Sequence, residues 1–362
     1  MIFVERGIHT VELYLNQMPY AEVQTIVEDL YHLQRHTGET IIVQTKKDSL
    51  NVRGSYEVHG YWPEGMLMKV YQESQRPSAI RIILNPSTLT SGEYVPERLY
   101  WPEMLYWSKK KFLKQMVKFI QVEFENTKQH RKWLFDVDRL SLSRVDITWN
   151  LYFPEAVDLT EVIRLFKHGY RNKKDRVVTF RDAKKDRHSF RVVYPDVVLT
   201  VYDKSFQVRQ KHRETIEGMQ ILRIEVSLKR SAYLRMLKLP VGVDYDEVLQ
   251  DAVISMSKVL KKYMKRIFPC IGRHLPYPTA VKEIQAKVAD EELREKMMFL
   301  LNKASRSDSL STAMEKTMME YGMGKKEMEK LLKKFDKVNV NPITFKKDSK
   351  MKELPGVRKM LL

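Results

Sequence analysis

The chain has 362 residues, with 64 Lys and Arg against 46 Asp and Glu, a formal net charge of +18 and 43% hydrophobic residues. This is globular composition with enough apolar mass for a buried core, and the cationic excess reads as a footprint for a polyanion, the alternative being a merely solubilising surface. A single cysteine, Cys270, excludes disulfide frameworks and cysteine-built zinc sites. No run approaches the ~20 apolar residues of a spanning helix, and no signal peptide is read, so an intracellular, cytoplasmic protein without membrane partners is expected.

In chain order, alternating apolar and polar residues predict strands over Thr10–Asn16, Asn51–Tyr61, Met66–Glu73 and Ala79–Asn85. A helix is predicted from Pro19 to Arg35, stopped by Thr37-Gly38, and a longer one over Pro102–Thr127. A strand over Leu142–Phe153 and a helix over Leu159–His168 follow. Next comes a basic stretch, Tyr170–Arg191, then two strands, Val197–Phe206 and Gln220–Lys229. Helices are predicted near Tyr245–Phe268, Thr279–Asn302, Leu310–Tyr321 and Lys325–Phe335, and the basic tail Lys346–Leu362 is expected to be poorly ordered.

The two halves resemble each other. Val11-Glu12-Leu13-Tyr14-Leu15-Asn16 resembles Val145-Asp146-Ile147-Thr148-Trp149-Asn150. The run Met68 to Ser74 resembles Leu199 to Ser205, and Ile80-Arg81-Ile82-Ile83-Leu84 resembles Leu222-Arg223-Ile224-Glu225-Val226. The order is the same in both halves, with Ile83 standing where the second copy has Glu225. The expected fold is α+β: two pseudo-repeated halves forming antiparallel sheets backed by helices, plus a helical C-terminal region. The expected domains are 1–130, an inactive half for DNA binding or support; 131–275, a catalytic half; and 276–362, helical with a basic tail.

Strand alternation gathers polar stripes. Arg144, Asp146, Thr148 and Asn150 share one face; Thr200, Tyr202 and Lys204 another; Arg223, Glu225, Ser227 and Lys229 a third. Two carboxylates on adjacent strands can hold Mg²⁺ or Mn²⁺ through oxygens, and such a cation polarises a phosphodiester. A tyrosine hydroxyl is a weak nucleophile at its usual pKa of ~10 and needs a nearby cation, which Lys204 or Arg223 can supply. Ordinary outward-facing strand charge is the competing reading of the same pattern.

Three segments in order, Leu142 to Thr148, Val198 to Lys204 and Leu222 to Lys229 continuing through Tyr233-Leu234 to Leu239-Pro240, resemble the gene II/X-type replication initiators of filamentous phages. That family is related to the rolling-circle Rep proteins of Gram-positive plasmids. A weaker match lies at Ile82 to Leu89. The resemblance implies a metal-dependent endonuclease that nicks one origin strand through a 5′-phosphotyrosine, frees a 3′-OH, and later rejoins the strand. It gives Tyr202 as nucleophile, Asp146 and Glu225 as ligands of Mg²⁺ or Mn²⁺, and Lys204 and Arg223 as supporting cations. Gln207 departs from the glutamate that relatives often carry there, leaving the third ligand open, with Asp203 one alternative. Tyr194 is a further tyrosine that could accept a strand.

The basic stretch is expected to contact phosphates as a hairpin, through Arg171, Lys173, Lys174, Arg181, Lys184, Lys185, Arg187 and Arg191, with Arg144 added from the strand face. Implied partners are double- and single-stranded origin DNA, a host helicase and polymerase, and a second copy in a homodimer. No phosphate-binding Gly-rich loop is present, so a built-in helicase is not expected. Tyr321-Gly322-Met323-Gly324 has helix-turn-helix spacing. The chain lacks a His-hydrophobic-His triplet, and His32 and His36, at helix spacing by a helix end where protonated histidines favour the dipole, are read as structural. A non-enzymatic, origin-recognising DNA-binding protein is the alternative function. Tyrosine recombinases need an Arg-His-Arg constellation not found here, and mobilisation relaxases clustered histidines.

Overall fold

A computed structural model of the chain describes residues 3–48, 53–59, 65–72, 78–91, 93–100, 140–169, 176–178, 187–212, 218–229, 269–307 and 309–361, with short pieces at 216, 232, 258–259 and 262–265. The predicted helix over Pro102–Thr127 and most of that over Tyr245–Phe268 lie outside these residues. The chain divides into two compact units. The N-terminal unit holds Arg6–Thr148 with Ser227–Ile254; the C-terminal unit holds Met1–Glu5, Trp149–Val226 and Ser255–Leu362.

The N-terminal unit contains most of β1 (Phe3–Met18), then α1 (Tyr20–Thr37), β2 (Ile42–Asp48), β3 (Arg53–Val58), β4 (Met66–Gln72), β5 (Ser78–Leu84), α2 (Pro86–Ser91) and the first part of β6 (Leu140–Pro154). Its strands run in the order β2-β3-β4-β5-β1, and the neighbouring pairs up to β1 are antiparallel. Gly38 ends α1 in the left-handed region (φ 72°), where its N–H reaches the Gln34 carbonyl at 3.0 Å. Val23, Ile26, Val27 and Leu30 form the buried face of α1, which packs on β2, β4 and β5.

The C-terminal unit contains the end of β6, α3 (Leu159–Gly169), β7 (Arg176–Val178), β8 (Ser189–Val193), β9 (Val197–Asp203), α4 (Lys204–His212) and β10 (Met219–Lys229) as far as Val226. Its strand order is β7-β8-β9-β10-β6. Both units therefore follow one plan: a strand, a helix, then four strands whose last lies beside the first. This is the α+β duplication that the short matches indicated. Leu159, Val162, Ile163, Leu165 and Phe166 make α3 apolar on one side, and that side lies against β8 and β9. The order of exposure along β9 follows: Val197, Leu199, Val201 and Asp203 are buried, whereas Val198, Thr200 and Tyr202 are half-exposed.

The helical region comprises α5 (Tyr277–Lys287), α6 (Glu291–Arg306), α7 (Leu310–Glu320), α8 (Lys325–Lys337) and the short α9 (Val357–Leu361). The single helix expected over Thr279–Asn302 is two. Asp290 takes its side-chain oxygen to the Leu293 N–H at 3.0 Å and starts α6 as an N-cap. The tail is ordered, contrary to expectation. Leu354 and Val357 are buried, and Leu354 exchanges two backbone hydrogen bonds with His274, at 2.8 and 2.9 Å.

His274 is itself fully buried, and its Nδ1 lies 2.8 Å from the Ile343 carbonyl. Burial pushes its pKa down to about 4. The folded state thus prefers the neutral ring, and the unfolded chain binds the extra proton between about pH 6.5 and 4. Stability from this group is complete above about pH 6.5 and is lost as pH falls towards 4. Thermal melts of wild type should drop through that window. His274→Asn, which keeps an N–H near the Nδ1 position but cannot be protonated, should show a smaller drop.

Candidate active site

Two polar clusters stand on the predicted strands, one in each unit. In the C-terminal unit, Tyr202 on β9 and Glu225 on β10 lie on the half-exposed side of their strands. The Tyr202 hydroxyl donates to Glu225 Oε2 at 3.4 Å, long for such a bond. Arg223, two residues before Glu225 and fully buried, also bonds to the tyrosine side chain. Its Nε donates to Asn150 Oδ1 at 2.8 Å. Asn150 Nδ2 donates in turn to Glu5 Oε2 at 3.1 Å, which also accepts the Tyr152 hydroxyl at 2.6 Å.

This setting fixes the protonation of Tyr202. Burial is the largest influence and raises its pKa well above 10; the negative charge of Glu225 raises it further, while Arg223 pulls it down. The hydroxyl as placed is un-ionised at neutral pH. Making it a nucleophile requires that the Glu225 charge be cancelled or its proton be taken up.

Lys204 and Asp203 stand differently from their expected places. The strand stops at Asp203, whose Oδ1 accepts the Phe206 N–H at 2.8 Å and begins α4. Lys204 thus opens a helix instead of continuing the tyrosine's face. It is buried, and its Nζ donates to Gln207 Oε1 at 2.9 Å. Asp203 faces the other side of β9 and lies 3.0 Å from His188 Nδ1, whose ring stacks on Phe206 with centroids 3.8 Å apart. Gln207, the departure from the family pattern, here serves Lys204.

In the N-terminal unit, Asp146 on β6 is buried and held by Arg144, with Nε to Oδ1 at 3.0 Å and Nη2 to Oδ2 at 3.1 Å. The same guanidinium reaches Glu12 Oε2 at 3.3 Å, and Glu12 also meets Arg81 Nε at 3.2 Å and the Ser143 hydroxyl at 2.8 Å. Glu12 is a further member of this cluster. Its signal in the sequence is its place opposite Asp146 in the repeat.

Of the cationic stretch, Arg187 and Arg191 are exposed, and β7 and β8 form the arms of an antiparallel hairpin with Val178 opposite Arg191. Arg171, Lys173, Lys174, Arg181, Lys184 and Lys185 lie outside the described residues. Tyr194 is half-buried, 5.5 Å from the ring of Tyr263. His32 and His36 sit exposed in the last turns of α1, with Nε2 atoms 3.1 Å apart.

Among the described residues no group of three or more His, Cys, Asp or Glu is arranged to hold a metal ion. Taken singly, the carboxylates of Asp146 and Glu225, which belong to different units, are hard oxygen donors of the kind Mg²⁺ takes, one or two at a time, filling its shell with water and phosphate oxygens. Asp146 could join such a shell only by exchanging Arg144 for the cation. No helix among the described residues is long and apolar enough to cross a membrane.

No protein-family profile matches the chain, and no curated protein does. Among solved structures it is similar to a rolling circle replication initiator protein from Geobacillus stearothermophilus. The identity is 10%, the TM-score 0.34, and the alignment covers 73% of this chain and 86% of that one. A score of that size supports neither fold nor function.

The electrostatics of Tyr202 can be measured without any substrate. In metal-free protein carrying ¹³Cζ-tyrosine, the resonance missing from Tyr202→Phe identifies residue 202. Glu225→Gln should titrate that resonance at lower pH than wild type, because a neighbouring negative charge is gone. Arg223→Met should move it the other way. An unchanged midpoint in Glu225→Gln would sever the two residues.

Proposed function

We propose that the chain is a rolling-circle replication initiator that nicks and rejoins one strand of origin DNA through a phosphotyrosine at Tyr202. The observation that carries the reading is the Tyr202 hydroxyl set against the Glu225 carboxylate with the buried Arg223 guanidinium beside it. The resemblance of the three strand segments to gene II/X-type and plasmid Rep proteins supports it, as does the net charge of +18.

In this reaction the Tyr202 oxygen attacks the scissile phosphorus and gives up its proton to water. The P–O3′ bond breaks, the 3′ oxygen takes a proton and primes synthesis, and the 5′-phosphate stays on the tyrosine. Attack by a later 3′-OH reverses the step and rejoins the strand, so no nucleoside triphosphate is consumed. Arg223 offsets charge on the phenolate and phosphate oxygens. Asp146 and Glu225 keep the role of ligands to Mg²⁺ or Mn²⁺ that the resemblance gives them. When bound, such an ion supplies Lewis-acid polarisation of the phosphodiester and cancels the carboxylate charge that keeps Tyr202 protonated. Arg187 and Arg191 on the hairpin, and Arg144 if it leaves Asp146, contact phosphates. Strand opening falls to a host helicase and extension to a host polymerase.

With supercoiled origin DNA and Mn²⁺, wild type should convert substrate to nicked circles and carry a covalent DNA adduct. Tyr202→Phe should lose both by at least about 10³-fold, the scale of removing an essential nucleophile. Full nicking by that variant would remove Tyr202 from the mechanism. Origin binding without nicking by wild type would favour the non-enzymatic alternative.

A further inference from the structure

A cleft of about 1050 Å³ lies within the C-terminal unit, between α3 and the segment from Lys346 to Glu353. Both signs of charge line it, but they are committed unequally. Asp158 accepts from the Thr160 N–H and hydroxyl at 2.9 and 2.7 Å and so starts α3. Glu161 accepts the Ser349 hydroxyl at 2.7 Å, and Glu353 is held by Arg273 at 2.6 Å. Three of its four acids therefore serve the architecture; the fourth, Asp348, acts on Arg164 through its charge.

The cations are in the opposite state. Arg187, Lys346, Lys350 and Lys352 are exposed and make no ion pair among the described residues. Arg164 is half-buried, touches a carboxylate at 4.0 Å from Glu161, and has no hydrogen-bond partner for its shielded Nε and Nη2 among the described residues. Burial lowers its pKa below the usual arginine value, the mark of a cation short of compensating charge. Unsatisfied guanidinium donors in a cationic cleft call for an anion with several oxygens.

We infer that this cleft binds the sugar-phosphate backbone of single-stranded DNA, with Arg164 as its half-buried anchor and Lys350 and Lys352 on its rim. The demand for phosphate comes from the cleft alone; the choice of a DNA strand over a free phosphate compound rests on the function proposed above. The cleft is larger than one anion needs, and among the described residues no aromatic ring lines it, so it suits a run of phosphates without base stacking. The tail segment is held for this by its own bonds: the Ser349 hydroxyl accepts the Met351 N–H at 3.1 Å, and Leu354 is pinned beyond it.

The test is fluorescence anisotropy of full-length protein with a labelled oligo-dT across a salt series. The variants are Lys350→Gln/Lys352→Gln, Arg164→Gln, and, as a charge-matched control outside the cleft, Lys333→Gln/Lys334→Gln on α8. Losing two single-strand phosphate contacts should lower the slope of log affinity against log salt by about 1.4 and weaken binding about 25-fold at 0.1 M salt. Arg164→Gln should weaken binding too, with circular dichroism reporting that it folds. Equal losses in the cleft pair and the control pair would overturn the inference. So would displacement of the oligonucleotide by equimolar inorganic tripolyphosphate, which would make the cleft a site for free polyphosphate. Because binding is read without cleavage, a wild-type protein that fails to nick origin DNA would sink the nuclease reading and leave this result standing.

Discussion

A guanidinium with no exposure to water needs acceptors inside the protein, and Arg223 imposes that requirement on the strands around it. An arginine stays charged in proteins, so the cost of burying it is met only by well-placed acceptors. Asn150 supplies one at 2.8 Å and Tyr202 another contact. Asn150 can orient its carbonyl towards Arg223 because its amide nitrogen is occupied by Glu5. The tyrosine is thus positioned through β10, β6 and β1. A polar chain of this kind rigidifies the place where chemistry would occur, since breaking any one link leaves a buried group unsatisfied.

The other copy of the repeat solves the same problem with different residues. Arg81, the counterpart of Arg223, lies 5.2 Å from the ring centroid of Tyr71, the counterpart of Tyr202. Its acid comes from Glu12 on β1, because Ile83 occupies the position of Glu225. The tyrosine–arginine pair therefore survives in both copies as an architectural element, and in the C-terminal copy the neighbouring strand also brings the Glu225 carboxylate within reach of the hydroxyl. That difference, one residue on the strand beside the tyrosine, separates a packing motif from a candidate site.

Much of this was legible from period alone. β4, β5, β6, β9 and β10, with α1 and α3, carry a clean alternation or a clean apolar stripe, and their ends fall within a few residues of the predicted ones. The misses have physical causes. β2 lies at one end of its unit's strand order, where Thr45, Lys46 and Lys47 dilute the alternation, as edge strands commonly do. Asp203 has both an inward strand position and a capping side chain, and the cap won, turning Lys204 away from the face that alternation gave it. Asp290 broke a continuous helical period in the same way. The tail read as disordered because its charge density is high, but two buried residues, Leu354 and Val357, suffice to fix it. The partners of Arg223 come from strands distant in sequence, and no local pattern pairs Glu5 with Asn150.

The N-terminal cluster sets a condition on any role for Asp146. Two buried carboxylates and two arginines balance in charge as they stand, so a divalent cation added to them would find no net attraction and no free carboxylate oxygen pair. One arginine has to leave, and the two differ in how they are held. Arg81 is fixed between the rings of Tyr14 and Tyr71 as well as by Glu12. Among the described residues Arg144 is held by carboxylates and by no ring, so it can turn outward with little loss of packing. An approaching phosphate would draw it that way, and the same movement would uncover Asp146. The expected roles of Arg144 as a phosphate contact and of Asp146 as a cation ligand are therefore coupled: as long as the bidentate pair persists, neither residue can take up its part.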